Sequence, residues 1–227
     1  MLIAEDLLLL LTRDDTGKLV ASSTEVDVAL GGAMLVELTL MERVDLAAEG
    51  EDVRAGRLVV RDAGPTSDAL LDDALRIVVD KQGKKPQAVV TPLGKGLRKR
   101  LYERLADRGV LRSESGKVLG VFPTQQWPAQ DAAHEDAVRV RLVHALRVGA
   151  TDDDRVAALV SLLNALRAVP KVVDPDEIGV TKKELNARAK QIAEGNWGSA
   201  AVRRAIDDMM AAIMTAVMAG AVASGSS

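Results

Sequence analysis

From Val28 to Met41 the chain reads VALGGAMLVELTLM, and only Glu37 and Thr39 interrupt its apolar side chains. A helix of this pattern has no polar face wide enough to meet water, so it belongs in the middle of a folded domain. It is also too short, and too closely flanked by charges, to span a bilayer, which takes about 20 apolar residues. The stretch Thr24 to Val44 is therefore expected to be the central buried helix of a mainly helical domain. Glu37 on such a helix needs a partner, because an unpaired buried carboxylate is costly. An Arg or backbone amides, acting as a structural tie, is the expected answer. Gly31 and Gly32 in mid-helix each cost roughly 1 kcal/mol relative to Ala. Close approach of another backbone is the expected reason, and the Ala- and Gly-rich last helix is the candidate.

The remaining segments arrange themselves around that helix. Ile3 to Leu11 reads as a short leucine-crowded helix, followed by a turn at Asp14-Asp15-Thr16-Gly17. Ser22, Ser23 or Thr24 can cap the central helix, which is expected to end near Glu42. Val44 to Ala48 and Arg57 to Asp62 alternate in strand fashion and are expected to pair as a ribbon. Thr66 or Ser67 then caps an amphipathic helix with Leu70, Leu71, Ala74, Leu75 and Val78 on one face. A basic helix is expected from Pro92 to Arg108, ended by Gly109. After it, Val110 to Phe122 reads as a β-hairpin turning at Ser115-Gly116, and an irregular connection carries Trp127. Helices are expected at Ala132 to Arg147, at Asp152 to Ala168, after the capping box Thr181–Glu184, and at Val202 to Val222. Pro170 to Val180 reads as a loop. The fold class is mainly α: a compact single domain over residues 1–227, with central hydrophobic helices, surrounding amphipathic helices, a short β-ribbon and a β-hairpin. The 224–227 tail is expected to be disordered.

Composition bounds the chemistry. Aromatic residues make up 2% of the chain, so the core must be built from aliphatic side chains and Met. The net charge of −3 argues against wholesale nucleic-acid binding but leaves local basic patches open. Without Cys there is no disulfide, zinc–thiolate site or thiol catalysis. His134 and His144 have no companions at metal-ligand spacing, and Asp152, Asp153 and Asp154 fit the acidic first turn of a helix. No metal site and no cofactor are expected. No phosphate loop, nucleophile elbow or triad signature appears, so an enzyme is not supported.

The basic helix is the sharpest functional lead. It carries Lys95, Arg98, Lys99, Arg100, Arg104 and Arg108 against Glu103 and Asp107. On a continuous helix Lys95 and Arg98 lie about 60° apart with Tyr102 between them, a candidate anion cradle. A solvated basic face is the plain alternative. The order of basic helix, RGVL and hairpin also resembles a winged helix, a DNA-binding form. The acidic balance of the chain and the weakly basic hairpin, with only Arg112 and Lys117, count against it.

Four segments in sequence resemble the Golgi phosphoprotein 3 family in a bacterial-type form: EDLLLLLTRDDTGK (Glu5 to Lys18), ALGGAMLVELTLMERV (Ala29 to Val44), GPTSDALLDDAL (Gly64 to Leu75) and RLYERLADRGVL (Arg100 to Leu111). The resemblance covers about residues 4 to 222. It implies one mainly helical domain without enzymatic activity, bound peripherally to phosphatidylinositol 4-phosphate on the cytosolic face of a membrane. The family's headgroup pocket uses a Trp, an Arg and two further Arg. By spacing these fall on Ser22, Gly31, Lys95 and Arg98, so the last two positions remain cationic here. Lys gives a point charge where Arg gives a fork.

The family's hairpin serves self-association close to the membrane. Val118, Leu119, Val121 and Phe122 match its apolar strand, which implies a homo-oligomer formed through residues 110–122. The family's basic N-terminal tail, which contacts vesicle coats, is not expected here. The expected partners are an anionic phospholipid surface and further copies of the chain, with no nucleic acid. The expected location is the cytoplasm, peripheral on the cytosolic membrane face. The alternative is a cytosolic scaffold or interaction module that keeps the fold without the lipid.

Overall fold

The computed structural model describes residues 1–118, 122–194, 209–211 and 213–217. Two helices occupy its centre. Every residue of α1 (Ile3–Leu11) is buried, and α2 (Ser23–Leu40) is buried without a break from Val28 to Thr39. Ser22 and Glu25 start α2 by capping each other: the Ser22 side chain accepts from the Glu25 amide, and the Glu25 carboxylate accepts from the Ser22 amide. The helix stops at Leu40, just short of the expected end, and Glu42 takes φ +57° as the chain leaves it.

Around this pair the chain runs through β1 (Val44–Leu46), β2 (Leu58–Val60), α3 (Ala69–Val79), α4 (Gln87–Gly94) and α5 (Leu97–Asp107). It continues with β3 (Glu114–Val118), β4 (Phe122–Gln126), α6 (Ala133–Val148), α7 (Asp154–Ala165), α8 (Val169–Val172) and α9 (Lys182–Ala193). β1 and β2 form the expected antiparallel ribbon, with Val44 opposite Val60 and Leu46 opposite Leu58. α3 buries all five residues of its expected face, but its cap is Asp68, whose carboxylate accepts from the Leu70 amide. The Thr181–Glu184 capping box opens α9 as the sequence predicts. The stretch expected as a loop after α7 holds α8 and a 3-10 turn at Asp176–Ile178.

Glycines set how closely the central elements approach. A Cβ on Gly31 would overlap the Val90 carbonyl oxygen and stand 2.7 Å from the Gly94 amide nitrogen, and one on Gly94 would overlap the Asp27 carbonyl oxygen. α2 and α4 therefore cross backbone to backbone. The close approach expected at Gly31 exists, but its partner is α4 rather than the last helix. Gly32 faces Ile213, in a helical stretch (209–211 and 213–217) that buries Met209, Met210, Ile213 and Val217. No helix among the described residues is long and apolar enough to cross a membrane.

Two further expectations are corrected. The basic helix is not continuous from Pro92 to Arg108: Pro92 lies inside α4, Lys95 leaves the helical region with ψ 112°, and Gly96 takes φ +71° before α5 begins. The hairpin does not turn at Ser115-Gly116. Both residues lie in β3, opposite Gln125 and Thr124, and Val118 pairs with Phe122. Leu119 and Val121 lie outside the described residues, as does the 224–227 tail.

The N-terminus of α1 is tied down by ions. Glu5, with no exposed surface, meets Arg104 and Arg108, each at 3.0 Å. Asp6 holds His134 at 2.7 Å and Arg155 at 3.5 Å. Glu37 accepts from the Ile3 amide at 2.6 Å and from Arg155 at 2.6 Å. It thus has both kinds of partner the sequence called for. The positive end of a helix dipole and the surrounding cations make buried carboxylates tolerable there.

Candidate functional site

The break between α4 and α5 has a chemical consequence, because it creates a helix N-terminus inside the basic segment. Gly96 offers no side chain to cap α5, and the first turn of α5 contains no acid; it contains Arg98 and Lys99 instead. Unsatisfied amides and a positive dipole end attract anions. This turn opens on a cavity of about 520 Å³. The loop between α1 and α2 supplies Gly17, Lys18, Leu19 and Ala21 to it, and α2 supplies Ser23 and Asp27. Gly96, Arg98, Lys99 and Tyr102 form the opposite side, together with Trp127 at the exit of β4.

Two aromatic rings stiffen the wall. Tyr102 and Trp127 stack with centroids 5.1 Å apart and planes 4° from parallel. Trp127 is held from behind by the α1–α2 loop, where Gly17 at φ +62° comes so close that a Cβ would overlap the Trp127 amide nitrogen. The Tyr102 hydroxyl lies 2.9 Å from Thr12 Oγ1, which itself donates to the Leu8 carbonyl at 2.7 Å. Thr12 has spent its one proton, so Tyr102 is the donor in that pair. Burial pushes the Tyr102 phenol above its ordinary value of 10.0, so it stays protonated at neutral pH.

The charges around the cavity are three cations and one carboxylate. Arg98 Nε donates to Asp27 Oδ1 at 2.8 Å, with both side chains about one third exposed. Lys99 stands 3.6 Å from Glu103, a solvated pair worth little. Lys18 is exposed and has no ion pair among the described residues.

Of the residues singled out from the sequence, Arg98 and Tyr102 come together in the cavity, one turn apart on α5. Lys95 is exposed at the C-terminus of α4 and is not among the lining residues. Ser22 caps α2, and Gly31 is buried in the α2–α4 crossing. Val118 and Phe122 are the last described pair of the hairpin ladder.

Lys18, Asp27, Lys99 and Trp127 were not singled out. Trp127 did carry a signal: a rare aromatic in a chain with 2% aromatics, placed in a polar connection, needs something to pack on. Lys18 and Asp27 carried none, because nothing local brings the α1–α2 loop against α5.

Residues 3–209 match the Golgi phosphoprotein 3 (GPP34) family. Among curated proteins, the chain is similar to vacuolar protein sorting-associated protein 74 of Eremothecium gossypii, with 27% identity over 164 residues. That alignment covers 63% of this chain and 48% of the relative, so the chain spans about half the length of the curated protein it matches.

Proposed function

This chain belongs to the Golgi phosphoprotein 3 family, and on that premise we propose that it is a non-enzymatic peripheral membrane protein that binds anionic, phosphoinositide-like headgroups. The observation that carries the reading is the uncapped N-terminus of α5, which opens with Arg98 and Lys99 on an aromatic-walled cavity also edged by Lys18. A headgroup phosphate there meets helix amides and charge-assisted hydrogen bonds together.

Lys95, exposed just before the break, adds positive charge to this face without lining the cavity. A single cation near an anionic surface contributes about 1 kcal/mol, so this set alone gives weak attachment. Firm attachment then needs a second signal. The segment of residues 110–122, with Val118, Leu119, Val121 and Phe122, supplies it by self-association or by insertion at the cytosolic membrane face.

Co-sedimentation with vesicles that contain or lack phosphatidylinositol 4-phosphate tests the reading. The wild type is expected to pellet with the former, and both Lys18→Ala/Lys99→Ala and Lys95→Ala/Arg98→Ala to stay largely in the supernatant. Equal pelleting of the wild type and both double variants would remove the site. Failure of the wild type to pellet on any anionic vesicle would favour a scaffold that kept the fold without the ligand.

A further inference from the structure

Arg98 does not face the cavity as a free cation. Its Nε is taken by Asp27 Oδ1 at 2.8 Å, while its two terminal nitrogens have no acceptor among the described residues. Asp27 Oδ2 likewise has no donor among them. The cavity wall therefore presents, side by side, guanidinium N–H groups and a bare carboxylate oxygen. Lys18 and Lys99 are the lining cations that Asp27 does not engage.

A site built for bare phosphate gains nothing from a carboxylate in its lining, because two anions at such separation repel even through water. A carboxylate oxygen beside a guanidinium is instead a receptor for hydroxyl groups: the oxygen accepts their protons, and the N–H groups donate to their lone pairs.

Resting on the headgroup reading above, we propose that Asp27 is the specificity-determining residue of this cavity. Paired with Arg98, it reads the hydroxyl groups of a phosphorylated polyol, while Lys18 and Lys99 hold the phosphate. Its charge lowers affinity for phosphate monoesters that bring no hydroxyl groups, and its free oxygen restores affinity for those that do. Asp27 sits near the start of α2 at the surface, and its carbonyl oxygen, not its carboxylate, is what meets Gly94. Substituting its side chain therefore leaves the α2–α4 crossing intact.

The test compares two phosphomonoester lipids that differ in the polyol: vesicles containing phosphatidylinositol 4-phosphate and vesicles containing phosphatidic acid. Inositol 1-phosphate and inorganic phosphate serve as the soluble pair, so that a lipid surface and a free ligand are read separately. The full chain is used as wild type, Asp27→Asn and Asp27→Ser. Asn keeps an oxygen for Arg98 Nε, but it removes the charge and turns the free acceptor oxygen into an N–H donor. Ser removes the charge and shortens the side chain without adding an amide, so it guards against a fault peculiar to that group.

The wild type is expected to prefer the polyol member of each pair. Both variants are expected to gain on the order of fivefold for phosphatidic acid and inorganic phosphate, and to lose the preference. An unchanged preference in both variants overturns the role of Asp27, as does a wild type that binds the two members equally well; neither result touches the headgroup reading. A wild type that binds no vesicle and no soluble phosphate removes the headgroup reading and this inference with it. Binding to the soluble pair without binding to vesicles keeps the role of Asp27 and moves the ligand from a membrane to a free sugar or polyol phosphate.

Discussion

Glu37 Oε1 stands 2.6 Å from Arg155 Nη1, and this contact lets α2 and α7 grip the first turn of α1 between them. The other Glu37 oxygen accepts from the Ile3 amide at 2.6 Å, and Arg155 also donates to the Met1 carbonyl at 2.7 Å. Apart from Glu5 and Asp6 in its first turn, α1 is apolar, and all of its residues are buried. Apolar packing alone would let such a helix slide along its axis, whereas the ionic clamp fixes its end.

Arg155→Ala removes one jaw of the clamp and strands Glu37, which is 7% exposed. Breaking a buried pair costs about 3–5 kcal/mol, and the partly exposed Arg155 side chain reduces that here to about 2 kcal/mol. Urea unfolding is expected to show a lower midpoint at an unchanged slope. The double variant Glu37→Leu/Arg155→Ala is expected to regain part of the loss, since the Glu37 carboxylate is then no longer buried without its cation.

Gly31 and Gly94 are expected to tolerate no side chain. Ala at either position drives a methyl into backbone of the opposing helix, and overpacking of this kind costs about 1–3 kcal/mol. At Gly32→Ala the nearest atoms belong to the Ile213 side chain rather than to backbone, so its loss is expected to be smaller. Gly31→Arg would put a cation on α2, but its side chain meets the same α4 backbone, so it is expected to unfold the protein rather than improve vesicle binding. Circular-dichroism melts alongside sedimentation separate the two effects.

Most of the fold was legible because its signals are local. The apolar run of α2, the five-residue face of α3 and the Thr181 box each need only their own sequence to be read. The site was legible only by half. Arg98 and Tyr102 lie in one segment, whereas Lys18, Asp27 and Trp127 reach them from other elements. The Lys95–Gly96 break was missed because leucines at positions 93, 97, 101 and 105 keep helical spacing on both sides of it. The clue was Gly94 and Gly96 flanking Lys95, two poor helix formers one residue apart.

Acid is expected to loosen α5 from α3 through Asp68. Arg104, aided by the Leu70 amide, holds the Asp68 carboxyl below its ordinary 3.8 against the opposing effect of burial. A carboxyl with a lowered folded-state pKa contributes stability that is complete above its unfolded value and fades as pH falls through the folded one. Asp68→Asn keeps a competent cap and loses the charge. At neutral pH it is expected to cost about 1–2 kcal/mol, and that difference from the wild type is expected to shrink below about pH 4. Unfolding free energies measured from pH 2.5 to 7 check it. A constant difference across the range would mean that the Asp68–Arg104 pair does not set it.

Gly96→Ala separates one continuous basic helix from the broken one by the sign of its effect. In a helix interior Ala is favoured over Gly by about 1 kcal/mol, so a continuous helix from Pro92 to Arg108 would be stabilised. At φ +71° Ala is strained by roughly 1–2 kcal/mol, although a Cβ there meets no other atom within 4 Å. The loss therefore comes from the backbone alone. The expected outcome is a variant less stable by about 1 kcal/mol, with Gly96→Asn losing less because Asn tolerates the left-handed region. Vesicle affinity is expected to fall in the same order, since the turn that strains is the one whose amides and cations line the cavity. Denaturation and sedimentation of the same two variants would read both effects, and a stabilised Gly96→Ala would return the basic segment to a single helix.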